Sequence, residues 1–218
     1  MNKRKIWFRL LAAVSSAFII YALVKNFIID PDAAAFLGYK TGLKRELKLP
    51  QWLNVMYVHV VFACLAMAAG LLNFSNRIFE KSRKFHRING YIYLLSVLIV
   101  ILTSGYMAPY ATGGKISSMG FNALNILWMI ITTIAFVQIK RKQIVKHRNW
   151  MIRSYAFCFT NMMIHLITTL FHYGFNMSYP SSYTVGIYGA IALLLIIAEI
   201  VVRTIDRFQG NAGTARQA

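Results

Sequence analysis

The chain has 218 residues, 58% of them hydrophobic and only 14% charged, with 24 Lys and Arg against 6 Asp and Glu. A soluble domain of this size carries more charge, and the apolar residues here are gathered into six long blocks. This composition excludes an ordinary soluble globular protein and implies a single, all-α, polytopic membrane domain over residues 1–218. A formal net charge of +18 would suit nucleic acid. The basic residues flank the apolar blocks, however, and no charged domain stands apart from them, so the implied partner is the lipid bilayer and not nucleic acid.

The first span is predicted over about residues 7–29. Lys3, Arg4 and Lys5 give it the start of a signal peptide, but its apolar stretch is too long and no small-residue cleavage site follows, so it reads as a retained span. Asp30-Pro31-Asp32 ends it, because proline cannot continue a helix and restricts the residue before it. Residues 30–52 make the longest connection. Within it, GLKRELKLP mixes Leu with Lys and Arg and reads as a short amphipathic helix at the interface.

The second span, about 52–74, aligns His59, Ala63, Ala66, Gly70 and Asn73 on one face. Small residues in a membrane helix admit either a closely packed neighbour or a flat ligand beside His59. A basic connection leads to the third span, about 88–108, whose polar stripe is His86, Asn89, Tyr93, Ser96, Thr103 and Met107. Pro109 and Gly113-Gly114 make the next turn, and the fourth span, about 119–139, places Asn122, Asn125 and Thr132 together.

The fifth span, about 150–172, is the most informative. His147, Ser154, Asn161 and Thr168 recur every seven residues, and Met151, Cys158, His165 and His172 do the same four positions out of step. On a helix the two series merge into one polar stripe that must face protein, water or a cofactor and not lipid. The sixth span covers about 183–202, with Glu199 four residues before Arg203 as a local helix pair, and the small, polar residues 208–218 read as a disordered tail.

Charge sets the expected topology. With both termini in the cytoplasm, all Lys and Arg fall on the cytoplasmic side except Lys25, Lys40, Lys44, Arg45, Lys48 and Lys115. A cytoplasmic membrane is the expected location. Cys64 and Cys158 both lie inside spans and read as packing thiols. No phosphate-binding loop, HExxH, CxxC or nucleophile elbow is present, and the lack of an extramembrane domain argues against enzymatic action on soluble macromolecules.

The histidines sort by depth. His59 and His165 each lie roughly 10 Å in from the outer surface, at 1.5 Å rise per residue. His86 and His147 sit at the cytoplasmic mouths of their spans, and His172 is near the outer surface. Two imidazoles on facing helices at one depth can be the axial ligands of a b-type haem. His59, His86, His147 and His165 are therefore candidate haem ligands, and Arg83, Arg87, Arg148 and Arg153 could meet the propionates of an inner haem. Arg153 also reads as a snorkelling cation and Trp150 as an interface anchor. His165 and His172 have a two-turn spacing but no acidic partner, so no metal beyond haem iron is expected. The layout resembles the transmembrane di-haem cytochromes b in arrangement, without a motif match residue by residue.

Four segments carry a second resemblance: His59, KFHRINGYIYLLSV at 84–97, Gly120 to Trp128, and HRNWMIRSYAF at 147–157. Over about residues 55–200 the chain resembles a bacterial family of predicted membrane proteins with a domain of unknown function, which implies a small integral membrane protein. Three functional classes follow: a membrane redox protein of the b-haem kind, a binding or transport protein for a proton or small solute, and a structural membrane protein without chemistry.

Overall fold

The computed structural model describes residues 3–40 and 46–214, and these are helical nearly throughout. Helix α1 (Lys3–Val24) runs into a π-helical turn over Lys25–Ile29, and a one-turn helix, α2 (Ala34–Leu37), follows. Next come α3 (Leu49–Asn73), the short α4 (Asn76–Lys81), α5 (Arg83–Met107) and α6 (Gly114–Lys140). The fifth span is broken into α7 (Ile144–Ala156) and α8 (Thr160–Thr169), and α9 (Tyr179–Thr214) completes the chain. Six helical segments are long and apolar enough to cross a membrane. They extend past the apolar blocks at most ends, because helix formation continues into the flanking polar residues. Residues 41–45 of the expected amphipathic helix and 215–218 of the expected tail lie outside the described residues; Glu46 to Lys48 are not helical, and 208–214, expected to be disordered, continue α9 as helix.

The packing is that of a membrane bundle. Large apolar side chains face outward on every span, among them Ile20, Leu95, Leu102, Ile126, Leu166 and Ile200. Inside lie small and polar residues such as Ser15, Ala66, Ser96, Ser117 and Ser154. Lipid supplies no hydrophobic drive between helices, so close approach and hydrogen bonds hold them together.

One end of the bundle carries α4 and the 140–144 connection and is rich in basic residues; it is called the basic end here, and the opposite end distal. The basic half is closed. Tyr93 Oη, Trp128 Nε1 and Thr132 Oγ1 all meet Ser154 Oγ, at 2.8, 3.3 and 2.7 Å. Tyr155 donates from its hydroxyl to Met67 O at 3.1 Å and also meets Ser15 Oγ at 3.2 Å, joining α1, α3 and α7. Its ring lies against Gly70, so close that a Cβ there would overlap it. Asn89 donates to Ala69 O and to Asn73 Oδ1 at 2.7 and 2.8 Å. The small face of the second span thus serves helix packing at its basic end.

Because Tyr155 is anchored at its hydroxyl, its ring cannot move aside for a methyl group. Gly70→Ala is expected to lower stability by about 1–3 kcal/mol, the usual cost of overpacking. Thermal unfolding in detergent would register this as a lower midpoint, and Gly90→Ala, where an added Cβ meets only the Asn73 amide at 3.6 Å, serves as the control.

Candidate functional site

The distal half is open. There α8 packs on α9, where Gly186 lets the Ile164 and Thr168 side of α8 come close, while α3 packs on α1 and α5. The two groups of helices part between them, leaving a cavity of about 350 Å³, within the range that holds small ligands and cofactors. Its floor is Met67, Cys64 and Cys158; its walls include Phe18, Met56, Val60, Ala63 and Phe121.

The break in the fifth span lies level with this floor. Phe157–Phe159 form a single 3₁₀ turn, and Thr160 Oγ1 donates back to Phe157 O at 2.7 Å. Neither proline nor glycine marks the break. Local side-chain bonding to the backbone is its visible cause. The turn divides the polar stripe: Ser154 is buried in the closed half, whereas Cys158, Asn161 and His165 line the cavity.

His59 and His165, from α3 and α8, therefore share one cavity. His59 Nδ1 lies 2.9 Å from Thr103 Oγ1. The Thr103 hydroxyl proton is committed to Ile99 O or Val100 O, at 2.7 and 3.0 Å. Its oxygen must then accept from His59 Nδ1–H, which leaves Nε2 as the nitrogen with a free lone pair. The ring of His165 makes no hydrogen bond to the described residues.

His86 and His147 stand near each other at the basic end, close enough for their charges to interact. His147 Nδ1 donates to Ala135 O at 2.8 Å. His86 packs edge-on against Phe79, and its Nδ1 is buried without a partner among the described residues. Neither histidine lines the distal cavity. The nearby cations already have anionic neighbours: Arg148 meets Asp206 at 2.9 Å, and Arg153 meets Glu199 at 2.7 Å while covering the Trp150 ring. Glu199 also holds Arg203 at 2.9 Å, so the expected local pair is part of a link between two spans. Arg83 and Arg87 are exposed at this end. His172 is turned away, with Nδ1 donating to Met177 O at 2.7 Å.

Little in the sequence points to the cavity's roof. Residues 30–40 fold back over the distal end. Asp30 Oδ1 and Oδ2 accept from the Ala34 and Ala35 amides at 2.7 and 3.2 Å, and Lys25 pairs with Asp30 at 3.3 Å. Phe36 stacks on Trp52 and Tyr39 on Tyr179, with ring centroids 6.1 and 3.7 Å apart. The signal for this docking was the apolar run Phe36-Leu37 with Tyr39, close after the break at Asp30-Pro31-Asp32.

Six apolar helices, lipid-facing on the outside and polar within, define an integral, multi-pass membrane protein. Residues 56–202 match the family model described as predicted membrane protein (DUF2306), and the chain belongs to that family. No curated protein and no solved structure matches it.

If the cavity opens at the distal end as described, Cys64 and Cys158 line it and should be reachable by a small neutral thiol reagent. Single-cysteine variants are expected to label with methyl methanethiosulfonate and to resist a polyethylene-glycol maleimide. Mass spectrometry of the intact protein reads both, and equal labelling by the two reagents would contradict a confined cavity.

Proposed function

We propose that the protein is a b-haem-binding membrane redox protein, with the distal cavity as the haem site and His59 and His165 as the residues that would hold it. The observation that carries this reading is the pair of imidazoles from two different spans lining one cavity, one of them held by Thr103. A hydrogen bond at Nδ1 that leaves Nε2 free is the usual support for a ligating histidine.

The cavity residues fit the group. Imidazole pairs suit iron, and the walls are apolar, with aromatic and Met side chains and the small Ala63. When bound, a b-type haem would supply one-electron chemistry. The chain's own contribution is to orient His59 through Thr103, to present His165 from the far wall and to keep water from the floor with Met67 and the tyrosines beneath it. The positive-inside rule would put the mouth of this cavity on the non-cytoplasmic side of a bacterial cytoplasmic membrane.

The transport reading has less support, because the closed core around Tyr93, Trp128 and Tyr155 stands between the cavity and the basic end. The inner pair keeps one observation in its favour, the Nδ1 of His86, which has no partner among the described residues and lies beside His147. Arg148 and Arg153 are committed to Asp206 and Glu199, and Arg83 and Arg87 are the remaining propionate candidates named for that end.

The test is the visible spectrum of protein purified in mild detergent from a host supplied with haem precursor, before and after dithionite. A sharp reduced α-band with a shifted Soret band is expected. His59→Ala and His165→Ala should each abolish it, while His86→Ala and His147→Ala should leave it. Loss of about half the haem in either inner variant would assign a second site there, and a colourless wild-type protein would end the haem reading. Thr103→Val, which removes the acceptor for His59 Nδ1–H, is expected to weaken haem binding by about 10–100-fold and to shift the midpoint potential.

A further inference from the structure

We infer that the ligand of the distal cavity is anionic at its outer end, and that the Lys40 ammonium at the mouth is the group that binds it. This rests on the reading of the cavity as a ligand site, but not on the ligand being haem.

Lys40 is carried to the mouth by the fold-back of residues 30–40 and lines the cavity. Its ammonium donates to Tyr110 O and lies 4.4 Å from the centroid of the Phe36 ring and 5.3 Å from that of Trp52. No carboxylate among the described residues pairs with it. At the same end, Asp30 is taken by Lys25 and by the Ala34 and Ala35 amides. Asp32 and Glu46 are exposed and form no ion pair among the described residues. A cation drawn out of water without a counter-charge is costly, and one carbonyl with two ring faces offsets only part of that cost. Burial pulls the Lys40 pKa down to about 8, which agrees with an ammonium short of anionic partners.

An ammonium has three protons, and Tyr110 O accepts one. The others are available to an oxyanion at the top of the cavity. Below lie Phe36, Trp52, Met56 and Val60, which suit an apolar body. The site therefore selects an amphipathic molecule with its carboxylate, or a similar oxyanion, at the distal surface; in the haem reading this group is a propionate. Lys25 adds no free charge, since Asp30 neutralises it.

The test compares acids with their esters on the full-length protein in lipid nanodiscs. Two probe pairs are titrated: haem against haem dimethyl ester, followed by the Soret band, and a pyrene-tagged long-chain carboxylic acid against its methyl ester, followed by quenching of tryptophan fluorescence. In at least one pair the acid is expected to bind about tenfold to a hundredfold more tightly than the ester, the range for a charge-assisted hydrogen bond. Lys40→Met should erase that preference without changing ester affinity, and Lys40→Arg should keep it, which separates loss of charge from a loosened roof. The inference is overturned if neither pair shows a Lys40-dependent preference, or if Lys40→Met weakens acid and ester alike. Failure of the haem pair alone, with the pyrene pair behaving as expected, would reject haem and leave the anion site standing.

Discussion

The architecture depends on the contact between the Tyr155 ring and the bare backbone at Gly70. In lipid, two apolar helices gain nothing by hiding from water, so they associate where backbones approach closely and polar groups find partners. Tyr155 meets both conditions. Its ring fills the space that a side chain on α3 would take, and its hydroxyl reaches Met67 O and Ser15 Oγ on two other helices. Together with the Ser154 cluster, it closes the basic half of the bundle.

The same contact explains why the distal half is open. Beyond Met67 no residue of the fifth span repeats the role of Tyr155. The 3₁₀ turn at Phe157–Phe159 redirects the chain, and α8 follows α9 instead of α3. What is left between the helices is lined by the polar groups that packing did not absorb: His59, Cys64, Cys158, Asn161 and His165. Polar atoms inside a membrane protein either find a partner or face a cavity. Ser154, Thr160 and Thr168 take the first course, through bonds to side chains or to the backbone. The cavity residues take the second, except that His59 Nδ1 is also held by Thr103.

Charge is distributed by the same economy. The chain has only six acidic residues, and three of them hold structural positions. Glu199 and Asp206 tie α9 to α7 through Arg153 and Arg148, and Asp30 organises the turn that brings residues 30–40 over the mouth. These partly exposed pairs each contribute little to stability by Coulomb attraction alone. They set which neighbour each segment takes. Among the described residues, this scheme leaves Lys40 at the mouth without an acid.

The sequence by itself determined the six spans, most of the inward faces of spans two to five, and the depth at which each histidine sits; Asn122, expected on the polar face of the fourth span, is exposed. Those properties follow from periodicity and length, which are local. It also paired His59 with His165 by depth, and the fold brings both to one cavity. Periodicity could not say that the small face of the second span would serve packing at Gly70 and a cavity at Ala63, since a face's polarity does not name its neighbour. Nor could it show the break at Phe157–Phe159, which rests on a side-chain bond and not on a breaker residue. The roof was the least legible part. Residues 30–40 read as a loop, and only the contacts of Phe36 with Trp52 and Tyr39 with Tyr179, between residues far apart in the chain, decide that they cover the cavity and deliver Lys40 to its mouth.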